Sequence, residues 1–120
     1  MTERLRKLAM ATDPAVLNEI YTAFLTTSVD YISAMRQAIR TGDAPALVSS
    51  AHALKGASAN IGAPAVMDFS ARLEELGRSN SVVGAEELLE RLGTEFARAR
   101  TEIAAQMTAH KAHEHSHCGR

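Results

Sequence analysis

The feature that most restricts the fold of this chain is a series of helix start and stop signals. An acidic side chain followed by proline is typical of a helix start, and glycine commonly ends a helix in a left-handed conformation. These signals occur at Asp13-Pro14, Thr41-Gly42-Asp43, Gly62-Ala63-Pro64 and in the polar run 78–81. They predict three helices over about 14–41, 44–61 and 64–79, and a last helix that begins after Ser81 or Gly84.

Between these breaks, apolar residues recur at the spacing of amphipathic helices, and the alternation of a half-buried strand is missing. The last segment shows the pattern well, with a stripe of Leu88, Leu92, Phe96, Ala99, Ile103 and Met107. A chain of 120 residues is long enough to bury one core. We therefore predict an all-α protein, an antiparallel up-down four-helix bundle over residues 1–108, with a short N-terminal helix over about 2–11.

Charge, cysteine content and hydropathy restrict the setting in which the chain works. The formal net charge of −1 provides no basic field for nucleic acid. The single cysteine, Cys118, excludes an internal disulfide framework and fits a reducing compartment. No signal peptide is readable at the N-terminus, and no apolar run reaches the length of a membrane span. These features predict a cytoplasmic protein with no nucleic-acid or membrane partner.

One histidine, His52, is placed on the predicted second helix so that it points away from the apolar stripe. At helical spacing, its neighbours one turn on are Lys55 and Gly56. A solvent-facing imidazole is a nucleophile at neutral pH, a lysine suits a phosphoryl group, and a mid-helix glycine leaves the imidazole open to a flat partner. No carboxylate pair or metal cage for hydrolysis stands beside the trio. The pattern indicates a phosphate carrier rather than a hydrolase.

The run His52-x-Leu54-Lys55-Gly56-x-Ser58, followed by Gly62-Ala63, closely resembles the signature of histidine-containing phosphotransfer (HPt) domains. This resemblance implies that His52 accepts a phosphoryl group and passes it between receiver domains of response regulators or of a hybrid sensor histidine kinase. It also implies a phosphocarrier without autokinase activity or a cofactor of its own, with Mg²⁺ on the receiver, and an N-terminal helix that caps the bundle. We expect a monomer.

Three further residues of the predicted helices are assigned with this site. The small-residue patch around His52 should dock the partner, through Val48 and Ala59 beside Gly56. Glu74 follows His52 by 22 residues, where several members of the family that the chain resembles have a glutamine bonded to the imidazole. Glu74 would then fix the tautomer; the alternative is a solvated surface glutamate.

The C-terminal residues 109–120 differ from the rest in composition. Histidines crowd here without apolar periodicity, and we expect this tail to be disordered and to have no dedicated metal. Imidazole and thiolate suit zinc, copper or nickel, so the tail also supports an alternative function as a helical metal-binding protein. The candidate ligands are His110, His113, His115, His117 and Cys118.

Two other functions are also compatible with the sequence. The phosphoacceptor domain of chemotaxis-type histidine kinases has a similar His-x-x-Lys-Gly run, but its phosphate comes from ATP through a kinase domain, and no glycine-rich phosphate loop occurs here. Because the chain begins at Met1, we expect a free-standing protein. A purely structural interaction bundle, with an incidental His52, is the other alternative, although such a helix gains nothing from Gly56.

Overall fold

The computed structural model describes the backbone of residues 13–118 and the side chains of residues 13–107. Four helices account for nearly all of this part of the chain. They are α1 (Pro14–Thr41), α2 (Ala44–Ile61), α3 (Pro64–Arg78) and α4 (Ala85–Cys118). The all-α prediction is confirmed, and the predicted junctions agree with these boundaries.

The first two junctions are short because local capping ends one helix and starts the next within two residues. The Asp13 side chain accepts a bond of 2.8 Å from the Ala15 amide, and Asp43 accepts one of 3.1 Å from the Ala46 amide. Gly42 and Gly62 have φ of 69° and 80°, the left-handed conformation that favours glycine. Chain reversals this tight make α2 an antiparallel neighbour of both α1 and α3.

Each helix packs against the helices before and after it, and α1 also packs against α4. This closed ring is the predicted four-helix bundle. Its interior contains apolar residues from all four helices, among them Leu17, Met35, Leu47, Leu54, Leu73, Leu92 and Ile103. The rings of Phe24 and Phe96 lie 6.1 Å apart between α1 and α4. The core thus holds α2 and α3 side by side, with one face of each directed outward.

The contact between α2 and α3 is close at Gly77. A Cβ atom added there would lie 2.7 Å from Val48 Cγ2 and 3.1 Å from the Ala44 carbonyl oxygen. Such distances are too short for ordinary contact, so only glycine lets the end of α3 approach the start of α2 this closely. The approach brings the C-terminal turns of α3 beside the middle of α2.

The two ends of the chain differ from the predicted bundle in what the structure describes of them. The predicted N-terminal helix over 2–11 lies outside the described residues. At the other end, the backbone of α4 is helical as far as Cys118, which differs from the predicted disorder of the tail. No proline or glycine interrupts residues 109–118, so nothing in the local sequence stops the helix. The division of the chain at residue 108 stays a prediction.

Candidate functional site

The histidine singled out from the sequence lies on the outer face of α2. Leu47, Ala51 and Leu54 are fully buried on the inner face of this helix. His52 follows Ala51 and is turned about 100° from it, which directs the imidazole away from the core. Its side chain is 65% exposed. The imidazole is therefore accessible to a macromolecular partner.

Glu74 of α3 is buried beside this histidine, with only 4% of its surface exposed. A carboxylate is seldom buried without partners, because losing its hydration is costly. Three donors compensate here. His52 Nδ1 lies 2.8 Å from Oε2, Arg78 Nη2 donates to the same oxygen at 2.6 Å, and Lys55 Nζ lies 2.5 Å from Oε1. Glu74 is thus a buried carboxylate that contacts three side chains, rather than a solvated surface glutamate.

These partners determine the charge state of Glu74. The hydrogen bond from Lys55, and after it that from Arg78, lowers the pKa of Glu74 from 4.5 to about 2, although burial acts in the opposite direction. Glu74 is therefore ionised at neutral pH. With one negative and two positive side chains, the cluster has a net charge of +1 when the imidazole is neutral.

The ionised carboxylate determines which imidazole nitrogen carries the free lone pair. A carboxylate only accepts hydrogen bonds, so the hydrogen in the contact between His52 and Glu74 belongs to Nδ1. A neutral imidazole has one N–H, and the lone pair is therefore on Nε2. Because the side chain is largely exposed, that lone pair is available to an electrophile on a docked partner.

The other predicted site residues differ in their surroundings. Gly56 and Ala59 are exposed on α2, and a Cβ atom at Gly56 would meet nothing within 4 Å. The packing of the bundle therefore does not require glycine at this position. Val48 is half-buried against Gly77, so part of its side chain belongs to the α2–α3 contact. The Lys55 ammonium contacts Glu74, whereas the sequence had suggested a role only toward the phosphoryl group.

Two residues of this site, Arg78 and Gly77, were missed from the sequence. Arg78 follows Glu74 by four residues, the spacing at which side chains pair along a helix, and this spacing was a usable signal. Gly77 lies just before the end of α3 and resembles an ordinary helix-terminal glycine. Its contact with Val48 of α2 could therefore not be predicted from the neighbouring residues in the sequence.

Metal binding has no support within residues 13–107. No group of three or more histidine, cysteine, aspartate or glutamate side chains in that part of the chain could hold a metal ion. The tail histidines and Cys118 lie outside the described side chains. None of the helices, over the described residues, is long and apolar enough to cross a membrane.

The charge state of Glu74 predicts a specific acid sensitivity. Because its pKa is about 2 in the folded protein against 4.5 ordinarily, ionised Glu74 stabilises the fold fully above about pH 4.5. This contribution is lost as the pH falls through about 2. Glu74→Gln has no such ionisation, so its free energy of unfolding should fall less than that of the wild type between about pH 6 and about pH 2.5.

Urea unfolding of both proteins across this pH range measures the effect. The matched control is Glu87→Gln, which removes an exposed i,i+4 pair with Arg91 in α4 and should retain the acid dependence of the wild type. Parallel curves for the wild type and Glu74→Gln would contradict the assignment of a depressed pKa to Glu74.

Comparison with known proteins places this arrangement in a family context. The sequence model of the Hpt domain matches residues 19–102, which include His52 and the other three members of its cluster, Lys55, Glu74 and Arg78. Among solved structures, the chain is similar to histidine-containing phosphotransfer protein B (HptB) from Pseudomonas aeruginosa PAO1. The two share 27% sequence identity and a TM-score of 0.84, over 91% of this chain and 94% of the other. No curated protein matches the chain significantly.

Proposed function

This chain belongs to the Hpt domain family, the histidine phosphotransfer proteins of phosphorelays, and we propose that His52 is the residue that carries its phosphoryl group. The contact of His52 Nδ1 with ionised Glu74 is the observation that carries this proposal. It leaves the lone pair on the exposed nitrogen. Within residues 13–107, His52 is also the one histidine of the sequence.

The proposed transfer forms one bond and breaks one. The Nε2 lone pair attacks the phosphorus of an aspartyl phosphate on a receiver domain. As the N–P bond forms, the P–O bond to the aspartate breaks, and the aspartate carboxylate leaves with the electron pair. Nδ1 keeps its hydrogen, so no proton has to move. The reverse sequence of bond changes delivers the phosphoryl group to a second receiver.

Glu74 supports this step because attack by Nε2 makes the imidazole ring more positive. The Nδ1–H bond to the carboxylate strengthens as that charge develops, so Glu74 stabilises the transition state more than the resting state. Lys55 contributes a positive charge one turn from His52 while it holds the other carboxylate oxygen. The net positive cluster suits a phosphoryl group whose negative charge is spread over three oxygens.

The docking surface proposed for the receiver is the α2 patch, which consists of Val48, His52, Gly56 and Ala59. These residues share the outer face of α2 around the imidazole, and apart from His52 they have small side chains. Such a surface lets the aspartyl phosphate of a receiver approach Nε2. Receiver domains of response regulators or of a hybrid sensor histidine kinase are the proposed partners, and Mg²⁺ is expected to be bound by the receiver.

The family consists of phosphocarriers, and we extend this to the proposal that the protein has no autokinase activity, requires no cofactor of its own and works as a monomer. The test is to mix it with a phosphorylated receiver domain, or with phosphoramidate, and to analyse the product. We expect one phosphate per chain on His52, stable in alkali and labile in acid. Incubation with ATP alone should leave the protein unlabelled.

Gly56 is predicted to serve docking rather than folding. Gly56→Ala should stabilise α2 by up to about 1 kcal/mol, because alanine has the higher helix propensity and the added methyl meets nothing. The same methyl should obstruct a closely docked receiver and slow transfer by about tenfold, the effect of about 1.4 kcal/mol of overpacking. Labelling by phosphoramidate, a small donor, should be unchanged. A time course of phosphoryl transfer from a receiver measures the rate, and thermal unfolding measures the stability.

Gly93→Ala is the matched control for this experiment. Gly93 lies in the interior of α4, and a Cβ atom there also meets nothing within 4 Å. The α4 helix packs against α1 and α3, so Gly93 is remote from the α2 patch. Both variants should gain stability, and Gly93→Ala should transfer at the wild-type rate. Transfer from a receiver to Gly56→Ala at the wild-type rate would contradict the assigned docking role.

A further inference from the structure

Arg78 is the member of the charged cluster to which neither the sequence pattern nor the proposed transfer assigns a role. It lies in the last turn of α3, and its side chain is 62% exposed. Its Nη2 donates to Glu74 Oε2 at 2.6 Å. His52 Nδ1 lies 2.8 Å from that same oxygen, whereas Lys55 binds the other one. Arg78 and His52 therefore share one acceptor atom.

The sharing of one oxygen has an orienting consequence. A carboxylate held only by Lys55 could rotate about its terminal bond and carry Oε2 away from the imidazole. With Arg78 on one oxygen and Lys55 on the other, both oxygens are held, and Oε2 stays within hydrogen-bond distance of Nδ1. Arginine suits this task because its planar guanidinium gives directed donors and stays charged at every pH of interest.

The sharing also has an electrostatic consequence. An ionised carboxylate beside an imidazole favours the imidazolium, in which Nε2 carries a proton and has no lone pair. The positive charges of Lys55 and Arg78, which both contact Glu74, offset this preference for the imidazolium. In the described part of the chain, Glu74 is the titratable side chain of α3 that contacts His52, and Lys55 and Arg78 are the charged groups that contact Glu74. The carboxylate that His52 Nδ1 contacts is therefore one that is already paired with two cations.

We propose that Arg78 is a positioning residue for phosphoryl transfer, which acts through Glu74 to hold the His52 imidazole in its neutral Nδ1–H form. Arg78 does not have to touch the phosphoryl group in this role. The proposal rests on the proposed function of His52 for its biological meaning. Its physical content, the protonation state and tautomer of the imidazole, can be measured without any transfer.

The first measurement is ¹⁵N NMR of the His52 ring in the full-length protein, compared across substitutions at position 78. In Arg78→Ala, the ratio of the neutral Nδ1–H form to the other ring forms should fall about tenfold at neutral pH, the effect of one lost charge-assisted hydrogen bond. Arg78→Lys restores a positive charge and a donor, so it should recover most of the ratio. If Arg78→Ala acted only by disturbing the C-terminal end of α3, Arg78→Lys would not restore the ratio.

The second measurement is the pH profile of labelling by phosphoramidate. The pH of half-maximal labelling should move up in Arg78→Ala, because the loss of one positive charge beside Glu74 favours the imidazole form that carries a proton on Nε2 and cannot attack. Arg72→Ala is the matched control. It removes an i,i+4 pair on the same helix, in which Arg72 Nη2 lies 3.1 Å from Asp68 Oδ2. This variant should leave both measurements unchanged.

The outcomes separate the possible roles of Arg78. Wild-type ring forms and an unchanged pH profile in Arg78→Ala would overturn the proposal. Arg78→Ala could instead keep the wild-type ring forms and pH profile but receive phosphate more slowly from a receiver. Arg78 would then be a docking residue, and the positioning role would again be overturned. If the wild type accepted no phosphate at all, the proposed function would fail, while the NMR comparison would still decide whether Arg78 controls the imidazole.

Discussion

Replacing His52 with glutamine is expected to abolish phosphorylation of this protein while leaving its fold intact. The carboxamide of glutamine has no nucleophilic lone pair comparable to that of Nε2, so no N–P bond can form. The fold should survive because the side chain is 65% exposed, and because Lys55 and Arg78 still hold the buried carboxylate of Glu74 when the imidazole is removed. Labelling by a phosphorylated receiver or by phosphoramidate should fall to background, and the helical circular dichroism signal should not change.

The control for this substitution is a variant in which all the tail histidines, His110, His113, His115 and His117, are changed to glutamine. It should be labelled as fast as the wild type. Acid-labile phosphate on folded His52→Gln would refute the assignment of the acceptor. Loss of labelling in the tail variant, with His52 present, would transfer the role to the C-terminal histidines.

Gly77→Ala is expected to destabilise the protein and to disturb the site. The new Cβ atom would lie 2.7 Å from Val48 Cγ2 and 3.1 Å from the Ala44 carbonyl oxygen. The second contact involves backbone, so α2 and α3 must separate. Overpacking of this kind costs about 1–3 kcal/mol, and the helix propensity of alanine offsets up to about 1 kcal/mol. With the full offset, a net loss of up to about 2 kcal/mol in the free energy of unfolding should result, with a Tm lower by about 3–6 °C per kcal/mol.

The comparison of three glycines makes this prediction specific. Gly77→Ala should lower Tm, whereas Gly56→Ala and Gly93→Ala, where the methyl meets nothing, should raise it. Separation of α2 and α3 should also lengthen the contact between His52 and Glu74, because the two residues lie on these helices. Gly77→Ala should therefore show a reduced Nδ1–H population by NMR. A gain in Tm equal to that of Gly93→Ala would contradict the close packing at Gly77.

The site was only partly predictable from the sequence. His52, Lys55 and Gly56 lie within one helical turn of each other, and their spacing was enough to indicate a phosphate carrier. Glu74 was a candidate through the resemblance to the family, with a solvated glutamate as the alternative. Its burial with three partners depends on how α2 and α3 pack, which the sequence could not reveal.

The sequence by itself determined where the helices begin and end and which face of each is buried. Capping bonds and apolar stripes act within about four residues, as the bond between Asp43 and the Ala46 amide shows, so they can be read locally. One local expectation differs from the structure. The composition of residues 109–120 suggested disorder, whereas the backbone of α4 is helical as far as Cys118.

Only the tertiary structure decided the chemistry around the imidazole. His52 and Glu74 are 22 residues apart, and their 2.8 Å contact requires a particular register between two antiparallel helices. That register depends on the absence of a side chain at Gly77, and it also directs Lys55 and Arg78 to the same carboxylate. Contacts across helices depend on distances of a few tenths of an ångström, and such distances follow from packing rather than from the local pattern of residues.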